Sequence, residues 1–261
     1  MLKNLARLVA ATAVLGLAMG ASACKDGTFT INGEKGVPLA ELDMSGPAPS
    51  EVAMLGPEEV HVRKGDKLAI TVEGDEKARD ALRFTLKDGT LGIARQNWKS
   101  DGGHASITVT MPTPSRLVMA GSGKLTSEAL AGEKAGITVA GSGDVDAGTI
   151  EVGSLNVDVA GSGSLRGAGK AKSLHLTVAG SGNADLDGLN VDEAKVDVAG
   201  SGKTRFASDG TVSADIVGSG EVRVRGRATC KVSSVGSGKL VCESGPATAD
   251  EPAAGETGDA G

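Results

Sequence analysis

Seven copies of the tripeptide Gly-Ser-Gly recur along the second half of this chain at a nearly constant spacing. They begin at Gly121, Gly141, Gly161, Gly180, Gly200, Gly218 and Gly236, with spacings of 20, 20, 19, 20, 18 and 18 residues. Internal repetition at a period near twenty is typical of proteins that stack one structural unit on copies of itself. The sequence therefore predicts a stacked repeat protein.

The residues that flank each triplet alternate between apolar and polar. When the first Gly of a triplet is position 0, apolar side chains occupy positions −6, −4 and −2, as they do at Leu155, Val157 and Val159. Polar residues such as Asn156 and Asp158 lie between them. This period of two indicates a strand with one buried face. Positions +4 and +6 show a second, weaker alternation, so each repeat is predicted to be a strand, a corner and a second strand.

Two glycines in three residues allow a tight corner, because glycine adopts backbone angles that a Cβ atom forbids. A single coil of this length buries too little apolar surface to fold alone, so copies must stack and share a core. The 40 glycines and the aromatic content of 2% suit a narrow interior filled by Val, Ile, Leu and Ala. The predicted fold class is therefore all-β: a parallel β-helix-like solenoid with Gly-Ser-Gly corners and 18–20 residues per coil.

Composition divides the chain into five predicted segments. Lys3 and Arg7 precede a short apolar run, and the small residues 21–23 suit a cleavage site, which predicts an export signal. Residues 51–114 alternate like strands but lack the triplet, so they are predicted to form irregular coils of the same structure, with a small separate β-domain as the alternative. The end of the chain has no bulky apolar residue and is predicted to be disordered. The segments are 1–23 (export signal), 24–50 (leader or linker), 51–114 (N-terminal coils), 115–244 (regular repeats) and 245–261 (acidic tail).

The three cysteines have separate predicted roles. Cys24 follows the predicted cleavage site, and Ala-Ser-Ala-Cys resembles a bacterial lipobox with Ala where Leu is usual. A lipid anchor at Cys24 and a soluble periplasmic or secreted product both remain open, and membrane contact is expected only through such an anchor. Cys230 and Cys242 occupy positions −6 and +6 of the last repeat, predicted to point inward from facing strands. In an oxidising compartment this placement predicts a disulfide that closes the final coil, with two buried free thiols as the alternative.

The sequence predicts no catalytic, cofactor or metal site. A net charge of −6 and few aromatic rings argue against a nucleic-acid partner. His61, His104 and His175 lie at no metal-ligand spacing. The triplet serines have no His/Asp pair placed to activate them, and their hydroxyls are expected to bond along the corner. The chain is therefore predicted to be non-enzymatic.

Two charged clusters leave minor alternatives open. Carboxylates at position −3 suggest calcium, although the Gly-Gly-x-Gly-x-Asp calcium repeat is absent; they belong to Asp158, Asp197 and Asp215. Three arginines alternate with valines on one outward strand face, where a sugar-binding strip is the alternative to a solvated surface. They are Arg223, Arg225 and Arg227, and the sequence offers no obvious carboxylate cleft to accompany them.

Several stretches of this chain resemble the head GIN domain family, also called DUF2807. The resemblance covers roughly residues 37–243 and is carried by the Ala-Gly-Ser-Gly repeats, Val-Glu-Gly-Asp-Glu at 72–76, Lys-Asp-Gly-Thr-Leu at 87–91 and Ile-Thr-Val-Thr-Met-Pro at 107–112. It implies a right-handed β-helix-like superhelix related in shape to pectin lyases, with the triplet at the tight turn between sheets. It implies an adhesin head and no catalytic residues.

The expected function is therefore that of a scaffold in the periplasm, outer membrane or cell surface of a bacterium. Its partner would be an envelope or surface ligand, either polysaccharide or protein. Two alternatives stay open. One is a carbohydrate-active β-helix enzyme or polysaccharide-binding module, and the other is an accessory lipoprotein of the envelope-stress response.

Overall fold

The computed structural model describes residues 22–23, 29–31, 33–96 and 103–243. Cys24, the acidic tail and all of the predicted export signal except Ser22–Ala23 lie outside the described residues. Three short strands form a small antiparallel sheet, and sixteen form one large sheet. The predicted all-β solenoid is confirmed. Within the described residues, no helix is long and apolar enough to cross a membrane.

The small sheet contains β1 (Ser22–Ala23), β2 (Phe29–Ile31) and β3 (Glu34–Lys35). The large sheet contains β4 (Glu51–Gly56), β5 (Glu59–Lys64), β6 (Ala69–Gly74), β7 (Leu82–Lys87), β8 (Thr90–Arg95), β9 (Ala105–Met111), β10 (Arg116–Gly121), β11 (Lys124–Ser127), β12 (Ala129–Gly141), β13 (Asp144–Gly161), β14 (Ser164–Gly180), β15 (Asn183–Gly200), β16 (Lys203–Gly218), β17 (Glu221–Arg225), β18 (Thr229–Gly236) and β19 (Lys239–Glu243). A 3-10 helix spans Leu39–Glu41, and helix α1 spans Glu76–Ala81.

The triplet corners lie in one row along the stack. Each first glycine pairs in parallel register with the first glycine of the next coil, from Gly121 through to Gly236. Gly56 pairs with Gly121 and extends the row by one coil. The first glycines of the triplets have φ angles from 114° to 136°, a region in which a side chain is strained.

The second glycine of a triplet is required for a different reason. A Cβ atom at Gly163 would lie 2.6 Å from the carbonyl oxygen of Gly143 and 2.8 Å from Cγ1 of Val139, so this position presses on the preceding coil. Ser162, between the two glycines, is exposed, and its backbone N–H donates to the Gly141 carbonyl over 2.9 Å. The expected bonding of serine hydroxyls along the corner is not found in the described part of the chain, because main-chain hydrogen bonds align the row instead.

The predicted inward positions are buried wherever another coil follows. Leu155, Val157 and Val159 are at most 1% exposed. The last coil differs, because no further coil covers it. Val232 is 54% exposed there, and Cys242 is also exposed, although both occupy predicted inward positions.

The coils of β12 to β16 contain a third pairing segment that was not predicted from the sequence. Strand β13 pairs with β14 through residues 144–146, 149–152 and 154–161. The middle segment places Ile150 in the core, but its apolar pattern is too short to recognise as a strand. Register shifts fall next to this segment, whereas the segment 154–161 keeps its register. The register shifts that accompany differences in coil length therefore lie outside the Gly-Ser-Gly row, and the row stays aligned.

The N-terminal strands join the same sheet, but not in chain order. Strands β4 and β5 stack on β10 and β11, and β8 and β9 stack on the other side of β4 and β5. Strands β6 and β7 then pair antiparallel with β9 and β8 and close this end of the stack. At the opposite end, the predicted disulfide between Cys230 and Cys242 is present, with their Cα atoms 6.7 Å apart.

Candidate functional site

The longest pairing segments of the coils form one continuous outer face, which we call the long-strand face. It is made of residues 51–56, 116–121, 134–141, 154–161, 173–180, 193–200, 211–218 and 229–236. Because alternate side chains of a strand point outward, positions −5 and −3 of every coil form two columns on this face. The −5 column consists of Glu51, Arg116, Gly136, Asn156, His175, Lys195, Ser213 and Lys231.

Gly136 interrupts the −5 column and leaves a recess, which we call the Arg116 notch. The recess has a volume of about 470 Å³. Its lining includes Glu51, Arg116, Lys134, Gly136, Thr138, Asn156, Asp158 and His175. A Cβ atom at Gly136 would lie 3.6 Å from Cγ and 3.7 Å from Cζ of Arg116, so the arginine side chain lies over the glycine.

Neither Arg116 nor Lys134, the two permanent cations of the Arg116 notch, has a carboxylate within ion-pair distance among the described residues. Nε of Arg116 is also buried without a hydrogen-bond partner in that part of the chain. A buried donor without a partner costs about 1–3 kcal/mol, so an acceptor brought by a ligand would be favoured there. Lys134, which is exposed, adds a second positive charge at the rim.

A second recess, of about 560 Å³, lies beside the corner row near the N-terminal coils. Most of its charged groups already have partners. Lys124 Nζ lies 3.6 Å from Glu59 Oε1, and Ser164 donates to Asp144. Glu58, at the third position of the Gly56 corner, is buried against Arg95, whose Nη2 donates to Glu58 Oε2 over 2.9 Å. This recess therefore offers a ligand fewer free charges than the Arg116 notch does.

The three arginines predicted on one strand face each have a carboxylate partner. Arg223 Nη2 lies 2.9 Å from Glu221 Oε1, and this hydrogen bond lowers the pKa of the Glu221 carboxyl below its ordinary value. Arg225 Nε lies 2.6 Å from Asp187 Oδ1. The third arginine is bound by Asp209, whose Oδ1 accepts the Arg227 backbone N–H over 2.8 Å. These cations are therefore partly neutralised.

The position −3 carboxylates lie in one row, as the sequence indicated. Asp158 pairs with Thr177, which pairs with Asp197, and Asp215 follows. Asp197 is near two basic side chains, with Lys195 Nζ at 3.5 Å and His175 Nε2 at 3.8 Å. Among the described residues, no group of three His, Cys, Asp or Glu side chains could hold a metal ion.

Arg116, Lys134 and Gly136 are functional-site residues that the sequence alone did not predict. The signal that could have found them is the glycine itself, because it is the one residue without a side chain in the −5 column. A gap in a column of polar side chains becomes visible only after the repeats are aligned on their triplets.

The family comparison identifies the chain. Residues 48–228 match the family described as "Putative auto-transporter adhesin, head GIN domain" (DUF2807). The chain belongs to this family. The DUF2807 match includes the Arg116 notch and every triplet except the last. None of the curated proteins matches the sequence.

Several solved structures share the fold. A "putative adhesin" from Bacteroides fragilis has a TM-score of 0.70 and 21% identity, covering 75% of this chain and 93% of its own. A "putative lipid binding protein" from Parabacteroides distasonis has a TM-score of 0.61 and 23% identity, covering 76% and 93%. A "putative adhesin" from Parabacteroides merdae has a TM-score of 0.57 and 17% identity, again covering 76% and 93%. At these identities the likeness shows the fold alone.

Proposed function

We propose that this DUF2807 protein is an exported, non-enzymatic binding scaffold of the bacterial cell envelope, of the adhesin type. The family description and the two adhesin-named neighbours support a role in binding. A predicted signal at 1–23 and the Cys230–Cys242 disulfide support an oxidising compartment outside the cytoplasm. Anchorage through Cys24 stays part of the proposal.

The ligand is an acidic polysaccharide that lies along the long-strand face and places a carboxylate in the Arg116 notch. The observation that carries this assignment is the buried Nε of Arg116, which lacks a partner among the described residues. A guanidinium and a carboxylate match in geometry and charge. Asn156 and Asp158 beside it supply an amide and a carboxylate for sugar hydroxyls. The volume of about 470 Å³ is in the range of small-molecule sites, which is about 300–1,000 Å³.

Calorimetry with oligomers of galacturonate, alginate and hyaluronan, and with neutral dextran as reference, tests this function. We expect binding of an acidic oligomer and none of dextran. Arg116→Met should weaken binding by about tenfold or more, because a charge-assisted hydrogen bond contributes roughly 1.5–3 kcal/mol. Arg166 is the matched control, since it is exposed on another face and has no ion pair among the described residues. Arg166→Met should leave affinity unchanged.

Three results would contradict the proposal. If the Arg116→Met and Arg166→Met variants bind the acidic oligomer with equal affinity, the notch is not part of the binding site. Failure of all the acidic oligomers to bind would remove acidic polysaccharide as the ligand. Release of unsaturated or reducing ends from a bound polymer would show turnover and replace the scaffold by a carbohydrate-active enzyme.

A further inference from the structure

The two ends of the solenoid differ in how their strand edges are covered. At the N-terminal end, antiparallel strands β6 and β7 close the stack, and Val37 forms a bridge with Phe84 on β7. At the C-terminal end, β18 pairs only with β16 and β19 only with β17 within the described residues. One edge of each terminal strand therefore has free backbone groups in that part of the chain, and such edges readily pair with another strand.

Exposed apolar side chains gather at the same end. In the described part of the chain, the exposed large hydrophobic residues are Met44 and three valines of the last two coils. Val217, Val232 and Val235 are 46%, 54% and 60% exposed. Val232 occupies an inward position, so the core of the stack continues to the end of the solenoid and is left open there.

The charges on β19 are arranged to match a second copy of the same strand. The strand reads Lys239-Leu-Val-Cys-Glu243, with opposite charges at equal distances from Val241. An antiparallel pair centred on Val241 places each Lys239 opposite Glu243 of the other copy, and directly opposite side chains of opposite charge stabilise a pair.

The charge pattern would continue without a break across such a pair. On one side, Lys203 pairs with Glu221, which pairs with Lys239, and Lys239 Nζ lies 3.6 Å from Glu221 Oε2. On the other side, Glu243 pairs with Arg225. The row then runs Lys203, Glu221 and Lys239, followed by Glu243 and Arg225 of the second copy, so that neighbouring charges alternate in sign throughout.

We propose that the open C-terminal edge is a two-fold interface through which two copies of this chain pair antiparallel along β19. The pairing extends the sheet across both molecules and brings the open ends of the two cores together. The assembly stops at two copies, because the closed N-terminal end offers no matching strand edge for head-to-tail growth. The result is a dimer with its two N-terminal ends pointing away from each other.

Another candidate to cover this edge is the segment that follows β19, residues 244–261. That segment contains no Val, Ile, Leu, Met or aromatic residue and has prolines at 246 and 252. Proline lacks the N–H group that pairing requires, and the segment has no large apolar side chain to cover Val232. A second copy supplies both the backbone groups and the apolar side chains.

Analytical ultracentrifugation of the purified full chain tests the interface through its charges. The wild type should show a concentration-dependent monomer–dimer equilibrium. Lys239→Glu or Glu243→Lys places like charges opposite each other twice per dimer, so each variant alone should dimerise roughly tenfold more weakly. An equal mixture of the two should recover dimers, because Glu at 239 of one copy then faces Lys at 243 of the other. Lys203→Glu, in the same row but away from the edge, is the matched control and should dimerise like the wild type.

Each remaining outcome overturns the proposal. A wild type that stays monomeric up to hundreds of micromolar has no such interface. Single variants that dimerise like the wild type, or a mixture that recovers nothing, show that the copies do not meet at β19. A chain ending at Glu243 that dimerises when the full chain does not shows that residues 244–261 cover the edge. Circular dichroism melting of every variant separates lost pairing from lost folding.

Discussion

Neighbouring side chains in one coil face opposite environments, and this decides how a single substitution acts. Val157 is 1% exposed between coils, whereas Asp158 points to the long-strand face. Val157→Asp should lower the free energy of unfolding by about 3 kcal/mol or more, because it buries a charge without a partner. Asp158→Val should change it by less than about 0.5 kcal/mol. Thermal melting of the two variants checks this, and equal losses would show that the facing is assigned wrongly.

Sequence periodicity predicts which of these side chains point inward and which point outward, but it does not predict the Arg116 notch. Alternation and spacing define the long segments because each has three inward side chains at a period of two. The notch depends on how the Arg116 side chain lies across Gly136, a residue 20 positions away that only the stacking register brings alongside it. The carboxylate partners of Arg225 and Arg227 depend on the same register, so the sequence alone does not show them.

At the scale of secondary-structure elements, a buried ion pair joins two elements at the N-terminal end of the solenoid. Arg95 of β8 is 4% exposed and Glu58 is 2% exposed at the corner that follows β4. Glu58→Gln should lower the free energy of unfolding by about 3–5 kcal/mol, because it leaves the Arg95 charge buried without a counter-charge. Glu59→Gln at the surface should cost less than about 1 kcal/mol. Chemical denaturation compares them, and the double variant Glu58→Met/Arg95→Met should recover most of the loss. A double variant as unstable as Glu58→Gln would mean that the pair itself, rather than an orphaned charge, stabilises this end.

These elements also show where sequence analysis stops. Helix α1 and the alternating strands of residues 51–114 have recognisable local patterns. Their order in the stack has no such local pattern. From β4 and β5 the chain first passes outward, and only then does it reach β8 and β9. It afterwards returns to β10, on the other side of β4. That path is fixed by long-range pairing and by the need to cover the end of the core, and neither leaves a period in the sequence.

At the scale of the whole molecule, a stack of coils should tolerate loss of one whole coil but not half of one. In repeat proteins stability is approximately a sum over units and their interfaces, because each unit contacts only its neighbours. Removing residues 181–200 joins Gly180 to Ser201 and keeps every triplet in the corner row, since Gly180 and Gly200 are register partners. That variant should fold cooperatively and keep the Arg116 notch, with a denaturant m-value lower by about a tenth, in proportion to the surface buried.

Removing residues 191–200 instead places a corner where a strand should run, and we expect no cooperative unfolding transition. Circular dichroism during denaturant titration distinguishes the two. A stack that lost folding equally in both cases would be held together by something other than contacts between neighbouring coils.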